Sequence, residues 1–328
     1  MPNYTTSLSA TGGSPTAVPL PEAVMTVYSR EILWTALPLL MFEQIVERKE
    51  ELGAIPGQEI VFTKYASLAR GGQLVENTPM ETQNLAASQI TLTVYEHGNA
   101  VSVQEALLRA SWMNVLNDTA RLLGMDYATY RDEMIRDELL GSANVLFAAG
   151  RSARTQLTSG DVFDTRMVKD ATELLANNKT PKFTQFGPLP AYICFVSPHQ
   201  ARGIRDDKNW INAQNYGPND NILRGEIGKY EDVRFIETTQ ITYIQQNTGK
   251  IYSDNADSGN VAGTYSANAD VHQALIVGDH AIGLGTSLDA ELRDDGVHDF
   301  GREHKLGWYG IWGVKRIEEG HSAVLETA

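Results

Sequence analysis

The chain has 328 residues, 42% hydrophobic and 21% charged, an ordinary globular composition with length enough for a sizeable core and two domains. Its net charge of −14 repels nucleic-acid phosphates on average, and no Lys/Arg block interrupts that average, Arg151 and Arg154 coming nearest, which disfavours a nucleic-acid-binding enzyme. The single cysteine, Cys194, excludes an intrachain disulfide framework and a thiolate metal knuckle, and the longest apolar run, 32–42, is too short to span a bilayer and is broken by Pro38.

Residues 1–20 are rich in Ser, Thr, Gly and Pro and poor in charge, so they read as a tail or an arm that does not order itself. No Lys or Arg precedes Arg30 and no early apolar run occurs, so no secretory signal is expected. Pro21 and Glu22 suit a first helical turn, and 24–46 reads as a helix kinked at Pro38 and closed by Gly53, Pro56 and Gly57.

Two strand-like runs follow, 59–65 (EIVFTKY) and 89–95 (QITLTVY), both rich in β-branched and aromatic residues. In the second, Ile90, Leu92 and Val94 share one face, and Thr91, Thr93 and Tyr95 the other. Gly71-Gly72 and Thr78-Pro79 lie between the runs, where they hold the arms apart instead of closing a tight turn. A loop as wide as 66–88 is uncommon inside a compact domain, and a loop of this kind is expected to reach for something outside it.

A turn is expected at His97-Gly98-Asn99, then Val101, Val103 and helical sequence. Leu116, Ala120, Leu123, Tyr127, Tyr130 and Met134 recur in steps of four and three, one stripe of a helix that packs a core. Asp118, Arg121, Asp126, Arg131, Glu133 and Arg136 take the other faces. Continued from 116 to Phe147, this helix would be about 48 Å long, with Gly124 and Gly141 marking bends.

Beyond Gly160, residues 161–177 read as a helix with Phe163, Met167, Ala171 and Leu174 in step, ended by Asn177-Asn178 and Pro181. A buried strand is expected at 192–197, with Pro198 starting a helix. Further strands are expected at 233–238 and 274–277, a polar loop or hairpin tip over 245–270, and a return strand at 308–317 around Gly310 and Gly313. Strands and helices mix without a strict βαβ rhythm, which gives an α+β class.

Catalytic signatures are weak. Gly283-Leu284-Gly285-Thr286-Ser287-Leu288 holds two glycines of a dinucleotide fingerprint without the third, and there is no phosphate loop or nucleophile elbow. The histidines are scattered: His97, His199, His272, His280, His298, His304 and His321. His272/His280 and His298/His304 lack the i, i+4 spacing that grips one metal. Asp206-Asp207, Asp294-Asp295 and Glu318-Glu319 are adjacent in sequence and read as solvated charge, not as carboxylates facing across a cleft. No catalytic residue, metal or cofactor is expected. The enzyme alternative is a site assembled across the sequence from His280, Asp279 and Glu237.

The order of these features resembles tailed-bacteriophage major capsid proteins with the Hong Kong 97-type shell fold. The most specific local likeness is Asp206-Asp207-Lys208-Asn209-Trp210, followed by Gly225-Glu226-Ile227-Gly228 and by Val233-Arg234-Phe235-Ile236-Glu237-Thr238. The resemblance implies an N-terminal arm (1–24), a peripheral domain beginning at 25–58, an extended hairpin loop (59–95) and a peripheral spine helix within 96–155. An axial domain (156–299) and a peripheral return strand (300–328) complete it. It also implies a non-enzymatic protein that self-assembles as hexamers and pentamers into an icosahedral shell around double-stranded DNA, without sequence-specific contacts and without a membrane. Assembly in the host cytoplasm, a separate scaffolding protein, a portal and a possible decoration protein belong to the same implication. Some relatives crosslink their subunits through Lys–Asn isopeptide bonds. Lys64, the one lysine of the hairpin region, sits in a strand and not at the tip, so crosslinking is not expected here. An encapsulin-like cellular compartment is the alternative within the same fold.

Overall fold

The computed structural model describes residues 41–49, 59–65, 68–73, 82–110, 115–186, 189–211, 226–246, 250–253, 256–260 and 269–328. A 3-10 turn at Phe42–Ile45 leads into β1 (Glu47–Lys49). Most of the helix expected over 24–46 lies outside the described residues. Its described end is this tight turn, held by a carboxylate of the long helix: Asp132 accepts the Met41 and Phe42 amides at 3.0 and 2.9 Å.

The hairpin strands β2 (Glu59–Tyr65) and β3 (Ala87–Thr93) pair antiparallel, Glu59 opposite Thr93 and Tyr65 opposite Ala87. The chain then runs straight into β4 (Tyr95–Gln104). The turn expected at His97-Gly98-Asn99 is therefore strand interior, with His97 opposite Gly310 of a later strand. Gly98 serves close approach there: a Cβ on it would lie 2.8 Å from the Trp308 carbonyl oxygen.

A short helix, α1 (Glu105–Ala110), precedes the long α2 (Val115–Leu140). At 26 residues α2 is about 39 Å long, and it stops at Gly141, so residues 145–147 are not helical as expected. They form β5 (Val145–Phe147). Ala120, Leu123 and Tyr127 are buried as the stripe predicts, but Tyr130 is exposed, and Ile135 and Leu139 take over. The reason is geometric. Residues four apart on an α-helix advance by about 400°, so a row of i+4 neighbours drifts around the axis. The first half of α2 packs against Trp308 and Trp312, whereas Ile135 and Leu139 pack against Ile193, Phe195 and Leu275. One helix thus spans two cores with two faces. Arg131 and Arg136, expected on outer faces, are 4% and 1% exposed.

The remaining elements are α3 (Thr165–Asn177), β6 (Tyr192–Val196), α4 (Pro198–Arg205), β7 (Glu226–Tyr230), β8 (Val233–Glu237), β9 (Tyr243–Ile244), β10 (Lys250–Ser253), β11 (Ala256–Asn260), β12 (Val271–Val277), β13 (Ile282–His298), β14 (Glu303–Arg316) and β15 (Ser322–Thr327). Asp164 caps α3 by accepting the Met167 amide at 2.9 Å, which starts that helix at Thr165, four residues after the expected start at 161. Ser197 and Gln200 form a capping box around Pro198, the first residue of α4.

Among the described residues three sheets form. The largest has the order β11-β10-β9-β12-β6-β8-β7, with β15 pairing both β12 and β5. A second has the order β1-β13-β14-β4, and the third is the β2-β3 hairpin. The 17-residue β13 carries the Gly283–Leu288 stretch, which is strand and not a nucleotide loop. The 299/300 boundary drawn from sequence falls inside the β13–β14 hairpin, and β15 returns to the large sheet.

Candidate assembly surface

The β2–β3 hairpin lies across β13 and β14 with Ile60, Phe62 and Leu92 facing down, joined by Val94 and Ile311 in one apolar cluster. Glycines shape this seat. A Cβ on Gly285 would come within 2.7 Å of both Ile60 Cδ1 and Leu92 Cδ2. One on Gly283 would lie 2.8 Å from Phe62 Cζ, and one on Gly313 2.2 Å from the Thr93 carbonyl oxygen. Real side chains do not approach so closely, so the Gly283-x-Gly285 spacing on β13 is what lets the hairpin settle. Gly285→Val is expected to lift the hairpin base and cost about 1–3 kcal/mol by overpacking. Limited proteolysis should then cut at β2 or β3; a digestion pattern and melting temperature equal to wild type would show that the seat has slack.

Away from the seat the hairpin is apolar and uncovered. Val61, Tyr65, Leu68 and Leu85 are exposed, the last three by 60% or more. The arms stay in register past the last ladder pair: the Gln83 side chain takes the Ala69 amide at 2.9 Å and donates back to its carbonyl at 3.3 Å. At Ala69 and Gln83 the arms are therefore not yet spread as expected over 66–88, and Thr78-Pro79 lies outside the described residues. Lys64 makes an ion pair with Glu318 of the same subunit, which fastens the hairpin to the segment after β14.

A buried charged latch, which pattern reading missed, joins the 41–49 segment to α2. Arg131 contacts Glu43 at 2.8 Å, both about 4% exposed, and Arg48 reaches the same Glu43 oxygen at 2.9 Å. Arg131 also donates to the Tyr127 hydroxyl and lies 5.7 Å from the Trp312 ring. Next to it, burial pushes the Asp132 carboxyl up to about 7, against the pull of the Met41 and Phe42 amides. Local periodicity carries no signal for it, because Arg131 falls outside the apolar stripe and Glu43 lies 88 positions away in sequence.

The enzyme alternative is not assembled. His280 sits in a left-handed turn after β12, its Nδ1 2.8 Å from Glu47 and its Nε2 3.8 Å from Asp279. Glu237 is elsewhere, paired with Arg205 at 2.8 Å. It lies opposite Val196 at the end of β6, whereas Val277, just before Asp279, lies opposite Ile193 at the start of that strand. The three residues therefore occupy opposite ends of the sheet. His298 and His304 pair with Asp295 and Glu105, not with each other. His272 stacks on His199 at 4.1 Å, and burial holds its pKa down to about 4. Among the described residues no three His, Cys, Asp or Glu side chains cluster as metal ligands. Burial pushes the Cys194 thiol far up, which leaves it a packing residue.

A seated hairpin, a long helix spanning two cores and a mixed sheet behind it define the class of shell-forming subunits with the Hong Kong 97-type fold. The profile of the phage capsid protein family matches residues 40–321, and the chain belongs to that family. It is a structural major capsid protein of the phage shell and has its place in the virion. Solved structures share the fold at low identity. The capsid of Ralstonia phage GP4 is similar at 15% identity and a TM-score of 0.66, over 86% of this chain and 87% of that one. The cyanophage Pam1 capsid asymmetric unit matches at 15% and 0.67, over 100% and 99%. A virus-like particle from Pyrococcus furiosus is more distant, at 10% and 0.52, over 92% and 98%. No curated protein matches by sequence. The family match favours a phage shell over the encapsulin-like compartment.

Proposed function

We propose that this chain builds an icosahedral shell of hexamers and pentamers around double-stranded DNA, each subunit laying its β2–β3 hairpin over a neighbour. The observation that carries this reading is the contrast along one hairpin. Its base is bolted into a glycine-cut seat, and its outer part carries Tyr65, Leu68 and Leu85 more than half exposed. Single exposed apolar residues are ordinary, but three on one projecting arm suit a surface to be covered. Shell contacts are individually weak and sum to high stability through multivalency.

In this reading residues 1–24 are an arm and α2 is the spine of a peripheral domain that includes β1, β4, β13 and β14. The large sheet with α3 and α4 forms the axial domain. The net charge of −14 suits a container that releases its DNA, and it argues against sequence-specific contact. A scaffolding protein and a portal act as partners, assembly takes place in the host cytoplasm, and no catalytic activity is assigned. Sedimentation and negative-stain microscopy of the purified full chain test the reading: capsomers or closed shells are expected, and a discrete small globular oligomer at every concentration would overturn it. Terminase and portal genes beside this one would support the phage reading, whereas a neighbouring cargo-enzyme gene would favour the compartment.

A further inference from the structure

The far end of the β13–β14 hairpin carries an apolar ring that its own subunit does not use. The ladder closes at His298 opposite Glu303, leaving the loop 299–302. Asp299, Phe300 and Gly301 all take left-handed backbone, with φ of 49°, 55° and 94°. Glycine is at ease there and aspartate is tolerated, but a bulky side chain is an outlier. The other non-glycine residues with positive φ among the described residues are Ala149, Lys179, Glu231 and His280, none a large hydrocarbon.

The loop is held, not frayed. The Arg302 amide donates to both the His298 and Asp299 carbonyls at 3.1 Å, the Arg302 side chain pairs with Asp299 at 3.2 Å, and the Arg302 carbonyl accepts the Glu105 amide at 2.8 Å. These bonds fix a strained turn that presents Phe300 with 106% relative exposure, against 65% for Leu122, the next most exposed large hydrophobic among the described residues. Val297, three residues earlier, is 47% exposed and widens the apolar tip.

Within the subunit both features are unfavourable: a benzyl ring in water, and a bulky residue in the left-handed region. Strain of this kind persists where function needs it. We propose that Phe300 is an anchor that inserts into the surface of a second copy of this chain, its backbone pre-set so that the ring projects before contact. The occupant follows from the kind of protein this is, a subunit whose family builds shells from copies of itself. The rim suits it too, since Asp299 and Arg302 pair with each other and leave no single sign of charge around the ring to select an oppositely charged partner. The inference rests on the self-assembly reading but assigns a contact apart from the β2–β3 hairpin.

The test compares full-length wild type with Phe300→Gly, Phe300→Asn and Phe300→Leu by thermal melting and by sedimentation across a concentration series. Gly and Asn relieve the left-handed strain while removing the ring. The melting temperature of the dissociated subunit should stay equal or rise, and the concentration needed for self-association should increase at least tenfold. Phe300→Leu, still apolar, should recover much of the association. Unchanged association in Phe300→Gly and Phe300→Asn would overturn this inference alone. A lowered melting temperature in both would also overturn it, by showing that the ring packs within its own subunit. A wild-type chain monomeric at every concentration would overturn the self-assembly reading along with it.

Discussion

Replacing residues 66–86 with a two-residue Asn-Gly turn is expected to leave a folded subunit that forms no shells. Tyr65 and Ala87 face each other as the last ladder pair of β2 and β3, so a two-residue loop closes the arms in their existing register. The seat is untouched, because Ile60, Phe62 and Leu92 lie nearer the base. Melting temperature and circular dichroism should therefore stay near wild type. What disappears is Leu68 and Leu85, with Tyr65 left beside a shortened tip. Covering the exposed part of each such side chain is worth about 1 kcal/mol or more, so roughly 2 kcal/mol leaves every hairpin contact. Since 1.4 kcal/mol is about a tenfold change, assembly would need a concentration roughly thirtyfold higher even if one contact acted alone. Sedimentation should find only monomers or capsomers, and closed particles of normal size would show that the arm is not the clasp.

The hairpin was legible in sequence because its strands obey simple rules. Alternation in 89–95 predicted the covered face of Leu92 and Val94, and β-branched content found β2. Helix α3 was legible from the 3.6-residue rhythm of Met167, Ala171 and their neighbours, and α4 from Pro198 at its first turn. The longest strand, β13, was not. Its early glycines carry no side chain, so the period-two signal that marks a strand is erased where the hairpin must sit close. For the same reason Gly98 imitated a turn, and only the distant β14, which no local window contains, makes it a strand residue.

Helix α2 shows the other limit. A single stripe assumes one partner surface, but α2 has two, and the second half of the stripe was lost when the packing face rotated from the Trp308–Trp312 cluster to the large sheet. Charged residues fall outside the stripe because the pattern counts apolar positions. Burial of Arg131 depends on Glu43, a partner 88 positions away in sequence, which local periodicity does not report. The same holds for the proposed clasp: exposed tyrosine and leucine on an arm look like any other apolar residues until the fold shows them uncovered.

Arg131 is also where a single substitution should do the most harm to the subunit itself. Arg131→Ala would leave the Glu43 carboxylate, 4% exposed, with Arg48 as its one ionic partner among the described residues, and Arg48 is half exposed. Breaking a buried pair from one side costs about 3–5 kcal/mol, because the remaining charge is still desolvated. The stacking of the guanidinium near Tyr127 and Trp312 goes with it. A fall in melting temperature of about 4–7 °C is expected for a chain of this size. The damage should be local at first: hydrogen exchange should rise in 41–49, where β1 pairs with only three residues of β13, before it rises in the core strands β6 and β12. Glu43→Gln combined with Arg131→Met removes both charges while keeping bulk, so most of the lost stability should return. A double variant as unstable as Arg131→Ala would instead mean that the shape of the guanidinium among Tyr127, Trp312 and Glu43, not charge balance, holds the N-terminal segment to the spine.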